Sequence, residues 1–171
     1  IAPPPAGVAV SKIRPQPQPP GFPRGFFAFS MLHTMTGDVA SVVKFMRQQG
    51  CNLPLATDQK AIGLERHYEL VAGVVYEGYN GHNVWMHVAA LPGARWLVRD
   101  YLRYCFVYPF VELGCSRVSG YVDASNKTSR RFVEHLGFSL ETTLEGAASD
   151  GGDVLIYRMR RKECRHVPLD V

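Results

Sequence analysis

Tyr121-Val122-Asp123-Ala124-Ser125-Asn126-Lys127-Thr128-Ser129-Arg130-Arg131-Phe132-Val133-Glu134-His135-Leu136-Gly137-Phe138 contains the end of a strand, a turn, a capped helix and its stop in one run. Ser125 or Asn126 offers a side-chain oxygen to the orphan amides of a first helical turn. Phe132, Val133 and Leu136 recur at helical spacing and give that helix one apolar face. Gly137 can adopt the left-handed conformation that ends a helix, and Phe138 turns back to the core.

Working outward, residues 117–122 form the preceding strand, and two strands follow at 139–144 and 154–160. Upstream, Asp38 or Thr36 caps a helix running to about residue 49. Its stripe is Val39, Val42, Val43 and Met46, and Gly50 ends it. Strands at 61–66 and 70–79 lead into the turn Gly78-Tyr79-Asn80-Gly81 and an antiparallel partner at 82–90. Leu91-Pro92-Gly93 interrupts the pattern, and a helix spans residues 94–108. The order predicts a mixed α/β (α+β) domain around one sheet flanked by helices. Residues 1–25 hold eight of the twelve prolines. They form an extended arm, which leaves residues 26–171 as the domain.

A chain of 171 residues, 46% hydrophobic and 20% charged, builds one core. No apolar run approaches the ~18–20 residues of a membrane span. The net charge of +4 sits in one place, where Arg158, Arg160, Arg161, Lys162 and Arg165 face a single Glu163. The remaining chain is balanced, which argues against general nucleic-acid binding. Cys51, Cys105, Cys115 and Cys164 lie far apart, and the histidines lack ligand spacing, so no metal is expected. Free thiols suit a reducing compartment, the cytoplasm.

Asn126-Lys127-Thr128-Ser129 followed by Glu134-His135-Leu136-Gly137-Phe138 resembles the motif N-x-x-S … E-x-x-G-F of the GNAT superfamily of N-acetyltransferases. Tyr104-Cys105-Phe106 and Leu113-Gly114-Cys115-Ser116-Arg117-Val118 are similar to the Y-A-F … L-G-x-x-R-V of its branch that acetylates ribosomal-protein N-termini. The resemblance covers about residues 68–162. It implies the acyl-coenzyme A N-acyltransferase fold, with a central, mostly antiparallel twisted sheet and acetyl-CoA as co-substrate. Acetyl transfer to a primary amine by direct attack follows, with the acceptor left open. It also implies a short phage or bacterial form, acting in the cytoplasm of its host or, as a catalytically degenerate module attached through its arm, in a virion.

The family's parts fall on particular residues here. Trp85, Met86, His87, Val88 and Ala89 occupy the strand that holds the pantetheine arm. Gly93 and Ala94 occupy the pyrophosphate loop, although only Ala94 matches its glycine-rich pattern. Arg95 and Arg99, one helical turn apart, can pair with phosphate. Asn126 is a coenzyme contact and Ser129 the proton donor to the leaving thiolate, because the family's common tyrosine position is Val133. The branch's catalytic Glu falls in 146–150, where none occurs. His87 or Glu77, each on a strand, is the substitute base. Phe22, Phe26, Phe27 and Phe29 make residues 1–29 a docking arm for a protein partner or a neighbouring subunit.

Overall fold

The computed structural model describes residues 34–167, so the arm and its phenylalanines lie outside the described residues. The chain order is β1 (Thr34–Thr36), α1 (Val39–Gln48), β2 (Lys60–Arg66), β3 (Glu69–Glu77), β4 (Asn83–Ala90), α2 (Arg99–Val107), β5 (Arg117–Asp123), α3 (Lys127–Leu136), β6 (Ser139–Leu144) and β7 (Val154–Arg160). One seven-stranded sheet has the order β1-β2-β3-β4-β5-β7-β6. Every neighbouring pair is antiparallel except β4 and β5, which run parallel at its centre. This is the mixed α/β architecture the element order predicts. No helix among the described residues is long and apolar enough to cross a membrane.

Two cores sandwich the sheet. On one face Val42, Val43, Phe45 and Met46 of α1 pack with Leu53, Ala61 and Val75. On the other, Ile62, Val74, Tyr76, Val84 and Met86 meet Tyr101, Cys105 and Phe106 of α2 and Leu136 of α3. Gly63 and Gly73, opposite one another on β2 and β3, floor the first core. A Cβ on Gly73 would lie 2.7 Å from Val42, so α1 sits this close only because the side chain is missing. Tyr76 Oη donates to Cys105 O (2.5 Å) and Tyr101 Oη to Ile62 O (2.9 Å), anchoring α2 to the sheet.

α1 and α3 form where their caps predict. Asp38 Oδ2 accepts from Ser41 N (3.2 Å), Asn126 Oδ1 accepts from Ser129 N (3.0 Å), and Gly137 ends α3 at φ 106°. The helix expected over 94–108 is shorter. It starts at Arg99, and after Val107 it widens into a π-helical turn, Tyr108–Glu112, where Leu113 N bonds Tyr108 O (3.0 Å). Pro109 has no N–H for the regular ladder. Residues 94–98 form no helical turn: Ala94, Trp96 and Val98 are partly buried while Arg95, Leu97 and Arg99 are exposed, and Val98 N donates to Trp96 O (2.8 Å). Trp96 packs against Tyr101 (6.4 Å) and Phe132 (5.2 Å). A helix through this run would pull Trp96 off that contact. Strand β1, which no sequence pattern marks, adds a short edge to β2.

The basic segment at the end of β7 and beyond it folds back on its own domain. Arg158 pairs with Glu163, Arg161 Nη1 donates to Phe110 O (3.2 Å), and Arg165 Nη2 donates to His135 O at the end of α3. His166 stacks on Phe106 with ring centroids 4.8 Å apart.

Arg66 and Glu69 are paired across a two-residue turn, His67-Tyr68, and both turn residues have positive φ (51° and 67°). Turns of that type favour Asn-Gly, since left-handed backbone costs other residues about 1–2 kcal/mol each. Replacing His67-Tyr68 by Asn-Gly is therefore expected to raise stability by roughly 1–2 kcal/mol, read as a higher urea midpoint at unchanged slope.

Candidate active site

The parallel strands part company. β4 and β5 are paired only at Asn83↔Arg117, Val84↔Val118 and Trp85↔Ser119. Beyond Trp85, β4 continues to Ala90 bonded to β3 alone, while β5 continues to Asp123 bonded to β7 alone. The edge of β4 that faces β5 from Met86 onward is thus an unpaired row of backbone donors and acceptors inside a sheet. Such a row suits an extended, amide-bearing ligand that can take the place of the missing strand. Trp85, Met86, His87, Val88 and Ala89, the expected coenzyme strand, lie along this split.

Each parallel strand feeds a helix at the open end of the split, the usual binding position in α/β sheets. Helix α2 has no side-chain cap at Val98. Its first intrahelical bond is Leu102 N to Val98 O (3.0 Å), which leaves the amides of Arg99, Asp100 and Tyr101 without intrahelical acceptors. Gly93 has φ 75° in the turn closed by Ala94 N to Leu91 O (3.2 Å). Arg95 and Arg99 do not share a helix face, because Arg95 precedes the helix. Both are nevertheless exposed, as the alternating burial of residues 94–99 leaves them. Arg99 stands at the positive end of the α2 dipole, an unfavourable place for a cation unless an anion joins it.

Helix α3 begins across the split, tied to the 91–98 loop by the Trp96–Phe132 contact. Ser129 is half-buried in its first turn. Asn126 spends its side-chain oxygen on the Ser129 amide, so its Nδ2 is what remains for a ligand. Val133 is partly buried against the core.

The two alternative bases form one unit. His87 faces the α1 side, opposite Val75, and its Nε2 lies 2.9 Å from Glu77 Oε1. His87 is 8% exposed. Burial pushes the imidazole below its ordinary pKa of 6.5, and the Glu77 charge and hydrogen bond pull only partly the other way. Tyr121, on the same face of β5, meets the His87 ring edge-on at 5.4 Å and Trp85 at 6.2 Å. Burial raises the Tyr121 phenol, and Cys51, Glu77 and Asp123 add to the rise. In the far hairpin Asp150 and Asp153 are engaged in the turn, on the amides of Gly152 (2.9 Å) and Gly146 (3.0 Å).

Two participants carry no motif. Gln59, 3% exposed, donates from Nε2 to Glu77 Oε2 (2.9 Å), and Tyr121 covers the dyad. A polar residue two places before the inward-facing Ala61 is the available sequence signal for Gln59, since period two puts both on one face. Among the described residues no group of three or more His, Cys, Asp or Glu side chains is placed to hold a metal ion. All four cysteines are unpaired. Burial pushes the Cys105 thiol up to about 12 and the Cys115 thiol up to about 11, which keeps both protonated.

No family model matches the sequence, and no curated protein matches it significantly. Solved structures do. A mutant of the SpeG spermidine N-acetyltransferase from Vibrio cholerae superposes with a TM-score of 0.63 at 13% identity, over 77% of this chain and 95% of that one. A second mutant of the same enzyme gives 0.64 at 13% identity over 78% and 96%. Its dodecameric form in an intermediate state gives 0.62 at 14% identity over 78% and 96%. These likenesses establish the fold as that of the GNAT N-acetyltransferases, and they do not point to the ribosomal-protein branch.

Proposed function

We propose that this chain is an acetyl-CoA-dependent N-acetyltransferase that acts on a primary amine by direct attack. The observation that carries the reading is the split between β4 and β5 with the buried His87–Glu77 pair on its rim. The split fits acetyl-CoA, whose pantetheine amides match the unpaired edge of β4 and whose pyrophosphate matches the open amides of α2 with Arg95 and Arg99. Acetyl-CoA supplies the acyl group as a thioester, open to attack by an uncharged amine.

The residues divide the remaining work. The backbone of residues 85–89 binds the pantetheine, Gly93 and Ala94 shape the turn beneath the phosphates, and Asn126 Nδ2 contributes a further donor. Ionised Glu77 only accepts, so neutral His87 carries its hydrogen on Nε2 and leaves Nδ1 as the base. Nδ1 takes a proton from the incoming ammonium. The amine nitrogen then bonds to the acyl carbon and the carbon–sulfur bond breaks; the departing thiolate takes the Ser129 Oγ proton, the nitrogen gives up its second proton to solvent to leave the neutral amide, and solvent reprotonates Ser129. His87 and α3 lie on opposite faces of the sheet, so amine and thioester enter from opposite sides and meet in the split.

The mouth on the amine side suits a cation. Tyr121 and Trp85 offer aromatic surface, and the carboxylates of Glu77 and Asp123 both act on the Tyr121 phenol. The structural neighbours are spermidine acetyltransferases by description, which supports a small cationic amine as acceptor over a ribosomal-protein N-terminus. The cytoplasm, where acetyl-CoA is made and used, is the setting this implies. The departure of residues 89–94 from the glycine-rich pattern is what a second reading, a non-catalytic module of the same fold, would explain.

Binding separates the two. A ligand held only by the folded state stabilises it by about 2.7 kcal/mol at a hundred times its dissociation constant. Acetyl-CoA is expected to raise the melting temperature accordingly. Arg95→Ala and Arg99→Ala should each weaken its affinity by roughly fivefold, the worth of an exposed charge contact. An unchanged melting temperature at millimolar acetyl-CoA would overturn the transferase reading.

A further inference from the structure

Among the described residues, Gln59 is the buried polar side chain with the most hydrogen bonds. Its Oε1 accepts from Ala56 N (3.0 Å), and its Nε2 donates both to Pro54 O (2.8 Å) and to Glu77 Oε2 (2.9 Å). The Ala56 amide can only donate, which fixes the amide's orientation and leaves both Nε2 hydrogens for the other two partners. Glu77 is held at both oxygens, by Gln59 on Oε2 and by His87 on Oε1. One side chain thus ties the loop between α1 and β2 to the carboxylate that orients the base.

That loop is otherwise lightly held. Leu53 is its buried residue and takes Arg47 Nε on its carbonyl (2.7 Å), Asp58 Oδ2 accepts from Gly78 N (3.1 Å), and Leu55 is 56% exposed. Its Cys51 packs beside the α1 core and lies within electrostatic range of both Glu77 and Tyr121, so the loop stands next to the mouth of the site.

We propose that Gln59 is a positioning residue, which fixes Glu77 so that His87 keeps its hydrogen on Nε2 and turns Nδ1 to the amine, and which makes that setting depend on the seating of residues 51–58. Resting on the transferase reading for its purpose, the inference concerns the resting protein for its test. A loop displaced by an ill-fitting acceptor would release Glu77 and disarm the base, so acceptor fit and proton removal become one event. Glu77 from β3 is the charge that bears on His87, and Tyr121 from β5 meets its ring; Asp123 acts on Tyr121, and Cys51 of the loop on Glu77 and Tyr121.

The test is NMR of the histidine rings in the whole chain without coenzyme, through a pH titration. The wild type is expected to show a protected Nε2 proton on His87. In Gln59→Met that proton should exchange with water, and the His87 midpoint should fall by about one unit as the ordered carboxylate is lost. Should the Met variant fail to fold, Gln59→Asn keeps the amide but shortens its reach and is expected to shift the midpoint the same way. Leu53→Ala, which touches neither Glu77 nor His87 in any hydrogen bond, should speed exchange of the Ala56 amide and lower the midpoint too. An unchanged His87 signal and midpoint in a folded Gln59 variant would overturn the positioning role. A loosened Ala56 amide with no change at His87 in Leu53→Ala would overturn the dependence on the loop. Neither outcome depends on acetyl-CoA binding, so failure of the transferase reading would register separately, in the melting experiment.

Discussion

His87→Gln is expected to lower acetyl transfer by about 10²- to 10⁴-fold while changing acetyl-CoA affinity little, as loss of a positioned base does. The side chain faces the α1 side of the sheet, away from the face where α2 and α3 pack, so its loss does not touch the expected phosphate contacts. The pH dependence has a definite sign. The competent form is neutral, and burial lowers the imidazole below its ordinary value of 6.5. Turnover should therefore hold through neutral pH and fall as the pH drops through the lowered value, about tenfold per unit once the ring is mostly protonated. Glu77→Gln removes the opposing pull of the carboxylate, and the acidic limb should move to still lower pH while the maximum rate drops.

Ser129→Ala carries the second large effect, again about 10²- to 10⁴-fold in turnover with coenzyme affinity preserved. Its amide is capped by Asn126 and its hydroxyl is not needed for the cap, so the helix start survives the change. Val133, partly buried against the core on the same helix, has no proton to give. Single-turnover measurement separates the step. Full turnover in Ser129→Ala would hand the donor role to water.

The legible parts of the fold were those with local chemistry. Asp38 and Asn126 cap their helices because their side chains reach amides three residues on, and Gly137 closes α3 for backbone reasons that its neighbours cannot change. The strands of the β6–β7 hairpin keep the bounds expected for them, 139–144 and 154–160. The start of α2 was not legible, since Leu97 and Val98 lead Tyr101, Leu102 and Cys105 at helical spacing while Ala94, Trp96 and Val98 alternate, and the contact of the indole with Tyr101 and Phe132 decides between them. Strand β1 is too short to show alternation at all.

The site divides in the same way. His87 and Glu77 were visible as two candidate bases, but their union depends on the β3–β4 register, which places Glu77 two pairs from His87 and so on the same face. The split is invisible in sequence, because it consists of pairs that β4 and β5 do not make. Gln59 and Tyr121 have no motif, and their parts emerge only once the loop and β5 are brought against the dyad. The expected docking arm, residues 1–29, stays a proposal for a partner or a neighbouring subunit.

Acetyl transfer itself is the most direct test. The whole chain, incubated with acetyl-CoA and a panel of amines that includes spermidine, lysine peptides and peptides with free N-termini, should release coenzyme thiol in step with acetylated product from at least one cationic amine. His87→Gln, folded and still binding acetyl-CoA, should lose that release. Binding of acetyl-CoA without acceptor-dependent thiol release from any amine, or equal release by wild type and His87→Gln, would contradict the assignment of this site as an N-acetyltransferase centre.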